Sequence, residues 1–308
     1  MERKNLILAL ITLLLVAMSS PAQAKLRIVA STPDLGSIAA EIGRERVEVS
    51  NLAKGTEDPH FVDAKPSFIR ILNQADVLIE GGADLEVGWL PPLILNARNP
   101  KIQLGTPGRI IAADVIRLIE APTGPLDRSL GDVHPFGNPH FMLDPVNGKL
   151  IARLMAERFC AVAPGDCEVF KANLKQFEDK IGARLAVWQK QMAPLRGTKI
   201  VSYHKTYSYF VERFGLRVVN TIEPKPGIPP SASHVRDLVA QMKAERVALI
   251  VMEPNRERKT PAFLAQETGA KVVLVPSMVG GSKEAGDYLS LFDAIVTAML
   301  EAIGQRQP

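Results

Sequence analysis

Five histidines occur in the 308 residues of this chain, and three of them stand where an imidazole could be held on stiff backbone. His60 lies in EDPHF, His140 in NPHF, and His204 at the end of KIVSYH. Proline fixes its own φ and restricts its neighbour, so Pro59 and Pro139 stiffen the chain just before two of the rings. A metal ion asks for this, because ligand positions must be set to within a few tenths of an ångström. The pattern D/N-P-H-F occurs in two separate loops, which sets these two histidines apart from ordinary loop residues. Gaps of 80 and 64 residues separate the three candidates, so only the fold could bring them together. The remaining two are weaker candidates. His134 opens HPFG on the approach to His140, and His234 in SASHVRDL sits near a helix start that Ser231 or Ser233 could cap.

The elements that must position these residues alternate between short apolar runs and longer amphipathic stretches. LRIVAS (26–31), VEVSNL (47–52) and DVLIEGG (76–82) read as strands, with SIAAEIG and PSFIRILNQA as helices between them. Such alternation predicts parallel βαβ units. A helical block follows, over Asn147–Phe159 and then Glu168–Met192, the second running about seven turns at 3.6 residues each. Alternation resumes with KIVSYH, a helix from about Tyr207, LRVVNTI, a helix near 231–244, VALIVME, a helix across 260–268, KVVLVP, and a last helix from near Asp287. The expected fold is α/β with two lobes, each a mainly parallel sheet flanked by helices. Residues 25–165 form the first lobe, 166–194 a long rigid connecting helix, and 195–308 the second lobe. Each strong histidine candidate is expected at or just beyond a strand end, where parallel sheets place ligand sites, and a cleft between the lobes would receive them.

Residues 1–24 read as a secretory signal peptide: Arg3 and Lys4, an apolar run over Leu6–Met18, and a small-x-small signal at Ala22-Gln23-Ala24. That run is short for a membrane span, which needs about 20 apolar residues. The mature chain is expected to begin at Lys25 and to work in the periplasm. Removing the segment takes two basic residues and one acidic, so the net charge of +4 becomes +3. The basic residues do not cluster, which excludes the concentrated stripe of a nucleic-acid-binding protein. Cys160 and Cys167 in RFCAVAPGDCEVF are predicted to form a disulfide in an oxidising compartment; six intervening residues exceed the spacing usual in a thiolate zinc knuckle.

Five stretches together resemble the zinc/manganese-specific solute-binding proteins of ABC importers, the cluster A-I group. They are STPDLGSIAAEIG, EDPHFVDAKPSFIRILNQADVLIEGGADLEVGWL, NPHFMLDP, SYHKTYSYFVERFGL and GIPPSASHVRDLVAQMKAERVALIVMEPN. The resemblance covers nearly all of the mature chain. It implies that His60, His140 and His204 are metal ligands, that the helical connector permits only small lobe movements, and that the partner is an ABC-type membrane permease. The chain is read as a monomer.

Two departures stand out. The family often supplies an aspartate just after the strand matching KVVLVP, but here that position falls near Pro276, and water, His134, Glu253 or Asp287 remain open as the fourth ligand. A long His-rich loop before the second ligand is also missing, since 121–138 contains only His134. Three imidazoles without an evident carboxylate favour Zn²⁺ over Mn²⁺, which prefers more oxygen. No HExxH pair and no carboxylate at fixed spacing offers the general base of a zinc hydrolase, so no enzyme is expected. The expected function is capture of Zn²⁺ between the lobes for delivery to a permease. The alternatives are manganese capture and a metal-dependent adhesin or scaffold.

Overall fold

Residue-by-residue alternation along the buried strands sets the layering. In the computed structural model, which describes residues 24–124 and 134–304, β1 (Leu26–Ala30), β2 (Val47–Asn51), β3 (Val77–Glu80) and β4 (Arg109–Ile111) form a parallel sheet in the order β2-β1-β3-β4. Ile28, Ala30, Val77 and Ile79 point to one face and Val29 and Leu78 to the other, and all are buried. The second sheet has the same plan: β5 (Lys199–Ser202), β6 (Arg217–Thr221), β7 (Leu249–Met252) and β8 (Lys271–Leu274), in the order β6-β5-β7-β8 and again parallel. Burial on both faces is why the inner strands β1, β3, β5 and β7 read as largely apolar runs. The segment expected to be a signal peptide, residues 1–24, lies outside the described residues apart from Ala24. Among the described residues no helix is long and apolar enough to cross a membrane.

Helices α1 (Pro33–Gly43), α2 (Pro66–Gln74) and α3 (Leu90–Ala97) flank the first sheet. Helices α6 (Ser208–Phe214), α7 (Ala232–Glu245), α8 (Lys259–Thr268) and α9 (Tyr288–Ala302) belong with the second. Between the sheets run α4 (Pro145–Val162) and the 26-residue α5 (Cys167–Met192), the long helix that joins the lobes. Phe170, Asn173, Phe177, Ile181, Trp188 and Met192 make one buried stripe along α5, the 3.6-residue spacing of a half-buried helix. That stripe packs on α1 from the first lobe and on α9 from the second. One hydrophobic cluster therefore continues through both lobes, from Ile28 and Val77 through Phe177 to Ile200 and Leu249. The outer face of each sheet has its own smaller cluster. The expected disulfide joins Cys160 at the end of α4 to Cys167 at the start of α5.

Two elements went unread in the sequence, α3 and β4. LPPLILNA carries two prolines, and these fall in its first turn, where no intrahelical donor is lost. β4 is three residues on a sheet edge, too short for an alternating pattern.

The lobes also touch directly, away from the cleft's centre. The Val279 N–H donates to the buried Asp34 carboxylate at 2.7 Å, and the Asn255 amide donates to the Thr56 carbonyl at 3.2 Å. Gly55 lies against the backbone of Val279–Gly281, where an added methyl group would overlap the Val279 carbonyl oxygen. Gly55→Ala should therefore destabilise the metal-free protein by about 1–3 kcal/mol, the range for forced overpacking. Gly182→Ala, in open space on α5, should stabilise by up to about 1 kcal/mol through helix propensity. Thermal unfolding of the two variants checks both signs.

Candidate metal centre

The repeated D/N-P-H pattern proves to be a repeated turn. The Asp58 side chain accepts the backbone N–H of His60 at 3.1 Å, and the Asn138 side chain accepts that of His140 at 2.9 Å. In each case an Asx turn closes across a proline, so the imidazole leaves a doubly constrained backbone. The loops are pinned from behind as well. The buried Trp89 indole donates to the Pro59 carbonyl at 2.9 Å. Asn138 donates from its amide to the Lys205 carbonyl at 2.8 Å, and its own carbonyl accepts the Tyr209 hydroxyl at 2.8 Å. An amide is needed at 138 because a carboxylate has no hydrogen to give Lys205.

These loops bring three of the predicted histidines together. Nitrogen atoms of His60, His140 and His204 all lie within 4.8 Å of one another, and their ring centroids are 5.0–5.8 Å apart. The Nε2 atoms of His140 and His204 are 3.2 Å apart. His60 and His204 follow β2 and β5, as expected of strand-end residues. His140 does not follow a strand. It lies far beyond β4 and opens a short 3₁₀ turn, Phe141–Leu143, that leads into α4. The strand-end expectation fails there because Asn138 supplies the fixing that a strand would have given. His134 lies against His60, Nε2 to Nε2 at 3.0 Å. His234 stands apart on α7, capped by Ser231 and with its Nε2 3.1 Å from the Thr221 carbonyl.

Residues 28–302 match the family model described as the periplasmic component A of the zinc-uptake complex. The chain belongs to this family. The family is one of solute-binding transport proteins, not of enzymes. Among its relatives, the zinc-binding lipoprotein AdcA of Streptococcus pneumoniae serotype 4 is 24% identical, over all of this chain and 62% of AdcA. The chain thus spans less than two thirds of that relative. The manganese ABC transporter substrate-binding lipoprotein PsaA of the same organism is 21% identical, covering 97% of this chain and 98% of PsaA. A crystal structure of a zinc-bound ZnuA deletion mutant shares the fold, with a TM-score of 0.75 at 24% identity over 92% of this chain and all of that one.

In this member of the family, each of two rings has a carboxylate behind it. His60 Nδ1 is 2.8 Å from Asp58 Oδ1, and His204 Nδ1 is 2.8 Å from Glu223 Oε2. Burial alone would push both carboxyls up. The hydrogen bonds from the imidazoles, with the charges of the histidines and Arg256, outweigh it and hold both below their ordinary values, Asp58 far below. An ionised carboxylate only accepts, so in the neutral form of each ring Nδ1 carries the proton and Nε2 is the bare nitrogen, facing the cluster. Burial, followed by the neighbouring histidines, lowers His134 to about 4 and His140 well below the ordinary imidazole value.

Arg256, on the loop after β7, reaches both carboxylates. It lies 3.1 Å from Asp58 Oδ2 and 3.5 Å from Glu223 Oε1, with its Nε 3.8 Å from Glu253 and its guanidinium over the Tyr203 ring at 5.6 Å. Sequence reasoning missed this group. Asn138 reads as a turn former from the sequence, and Asp58, equally two residues before its histidine, could have been read the same way. Glu223 and Arg256 carry no spacing signal, since the fold alone places them behind His204 and across from Asp58.

The other carboxylates considered beside the trio are occupied elsewhere. Asp287 caps α9, accepting from the N–H groups of Leu289 and Ser290 at 2.9 and 2.8 Å. Glu253 accepts the Thr206 hydroxyl with one oxygen, and its other oxygen faces Arg256 Nε at 3.8 Å without a hydrogen bond. Losing the central cation leaves half-buried Asp58 and buried Glu223 with only their imidazoles as side-chain partners, so Arg256→Gln should cost the metal-free protein about 3 kcal/mol at neutral pH. Both carboxyls have depressed values in the fold. Their contribution is therefore complete above the unfolded values of 3.8 and 4.5 and is lost as pH falls below them. The difference between wild type and variant should be full above about pH 5 and should shrink toward pH 3; urea melts across that range measure it.

Proposed function

We propose that the protein captures Zn²⁺ between its two lobes, with His60, His140 and His204 as ligands, and delivers it to an ABC permease in the membrane. One observation carries the reading: three imidazoles on three separate loops, from both lobes, converge to within 4.8 Å. The carboxylates behind His60 and His204 add support, because a metal-bound imidazole is oriented by a partner at its other nitrogen. Neutral imidazole suits zinc, whereas manganese favours oxygen donors, and the trio contains no carboxylate. The kinship to PsaA keeps a manganese reading in view. The donor set argues against it.

A cation held by ligands from both lobes links occupancy to lobe position, so a permease could distinguish loaded from empty protein. Export to the periplasm through the 1–24 signal peptide belongs to the same proposal, and N-terminal sequencing of the secreted protein should begin at Lys25. Calorimetric titration of metal-stripped protein should show one saturable zinc site and much weaker manganese binding. The His60→Ala, His140→Ala double variant should lose that site. Zinc at a hundredfold excess over Kd should add about 2.7 kcal/mol to stability, with no such gain in the double variant. Wild-type-like zinc binding by that variant would sink the proposal.

A further inference from the structure

We infer that His134 is the fourth protein ligand, so that the captured ion sits in four imidazoles with no oxygen donor; this rests on the three-histidine reading above. The argument starts from distances. A tetrahedral zinc ion with Zn–N bonds of about 2.0–2.1 Å has ligand atoms about 3.3–3.4 Å apart. The His140–His204 pair of Nε2 atoms is 3.2 Å apart and the His60–His134 pair 3.0 Å. The four nitrogens thus form two pairs, each close to one edge of such a tetrahedron. In each pair one nitrogen is the bare one when its ring is neutral, because the Nδ1 atoms of His60 and His204 face Asp58 and Glu223. Bare imidazole nitrogens are donors to a metal.

His134 is also delivered by built structure. Its carbonyl accepts the Gly137 N–H at 3.3 Å, and the Asn138 N–H donates to the Ile119 carbonyl at 2.8 Å. Gly137 has φ of +121°, a conformation that suits glycine. One turn, HPFGNPH, therefore supplies two imidazoles to the same place. His134 lines a cavity of about 70 Å³ together with His140 and His204.

Among the competitors, Asp287 is committed to the cap of α9, while Glu253 gives one oxygen to Thr206 and turns the other toward Arg256 Nε at 3.8 Å, without a hydrogen bond. The segment after β8 is held against the first lobe by Asp34 and Gly55. His134 meets the trio through His60 and is not itself within 4.8 Å of every member. A rotation of its half-buried side chain into the cavity completes the tetrahedron. His134 is therefore the one member of the set that lies outside the converged trio before an ion is bound. It also makes the donor set all nitrogen, which disfavours manganese further.

The test is X-ray absorption of zinc in the stripped and reloaded full-length mature protein, with His134→Ala and His134→Gln beside it. Four imidazole nitrogens in wild type and three plus one oxygen in both variants is the expected result. Zinc affinity should fall at least by the about 10–100-fold that loss of a partner behind a ligand causes, and the preference for zinc over manganese should narrow. Cobalt loaded into wild type should show intense tetrahedral d–d bands that weaken in the variants. Three imidazoles in wild type, with unchanged affinity in both variants, would overturn the inference and leave the three-histidine reading intact. Absence of saturable zinc binding in wild type would overturn that reading and this one together.

Discussion

Two carboxylates, half-buried Asp58 and buried Glu223, lie at the lobe boundary with one guanidinium between them, and the candidate metal centre depends on how that charge is arranged. Each carboxylate holds one imidazole by its outer nitrogen and turns the inner nitrogen toward the cleft. Buried carboxylates cost several kcal/mol each unless they are paired. Arg256 offsets this for both, since its planar fork can serve two partners from one position. Asp58 belongs to the first lobe and Arg256 and Glu223 to the second. The arrangement that prepares the ligands is therefore complete only when the lobes are together.

Other contacts hold the lobes in that state. Asp34 receives Val279, Gly55 lies under the following turn, Asn138 reaches Lys205, and Arg213 pairs with Asp144 through two nitrogens. The Tyr288 hydroxyl of α9 donates to the Met142 carbonyl, two residues past His140. Behind all of these runs the hydrophobic cluster along α5. A wide hinge opening would have to break polar contacts on several sides and expose part of a shared core. Adjustments of individual side chains, such as that of half-buried His134, remain open to the molecule.

Much of this was legible in the sequence because strong local signals lay in the right places. Two-faced burial gave apolar runs for β1, β3, β5 and β7, and the stripe from Phe170 to Met192 marked the long helix. The repeated Pro-His pairs marked the stiffened loops. What was not legible depended on long-range placement. β4 is too short to have a period, and the prolines of α3 look like a loop until they fall in a first turn. Glu223 and Arg256 gain their meaning only from groups 19 and 198 residues away. The site was thus half visible: the rings could be named, while the charges that orient them could not.

The bond between Cys160 and Cys167 has a consequence for the cargo as well as the scaffold. These are the chain's only cysteines, and thiolates are the strongest competitors that a protein can offer to imidazole for a soft or borderline cation. Once oxidised, neither sulfur is a thiolate. On the proposed function, a chain that must give up its ion thereby contains no rival thiolate trap of its own.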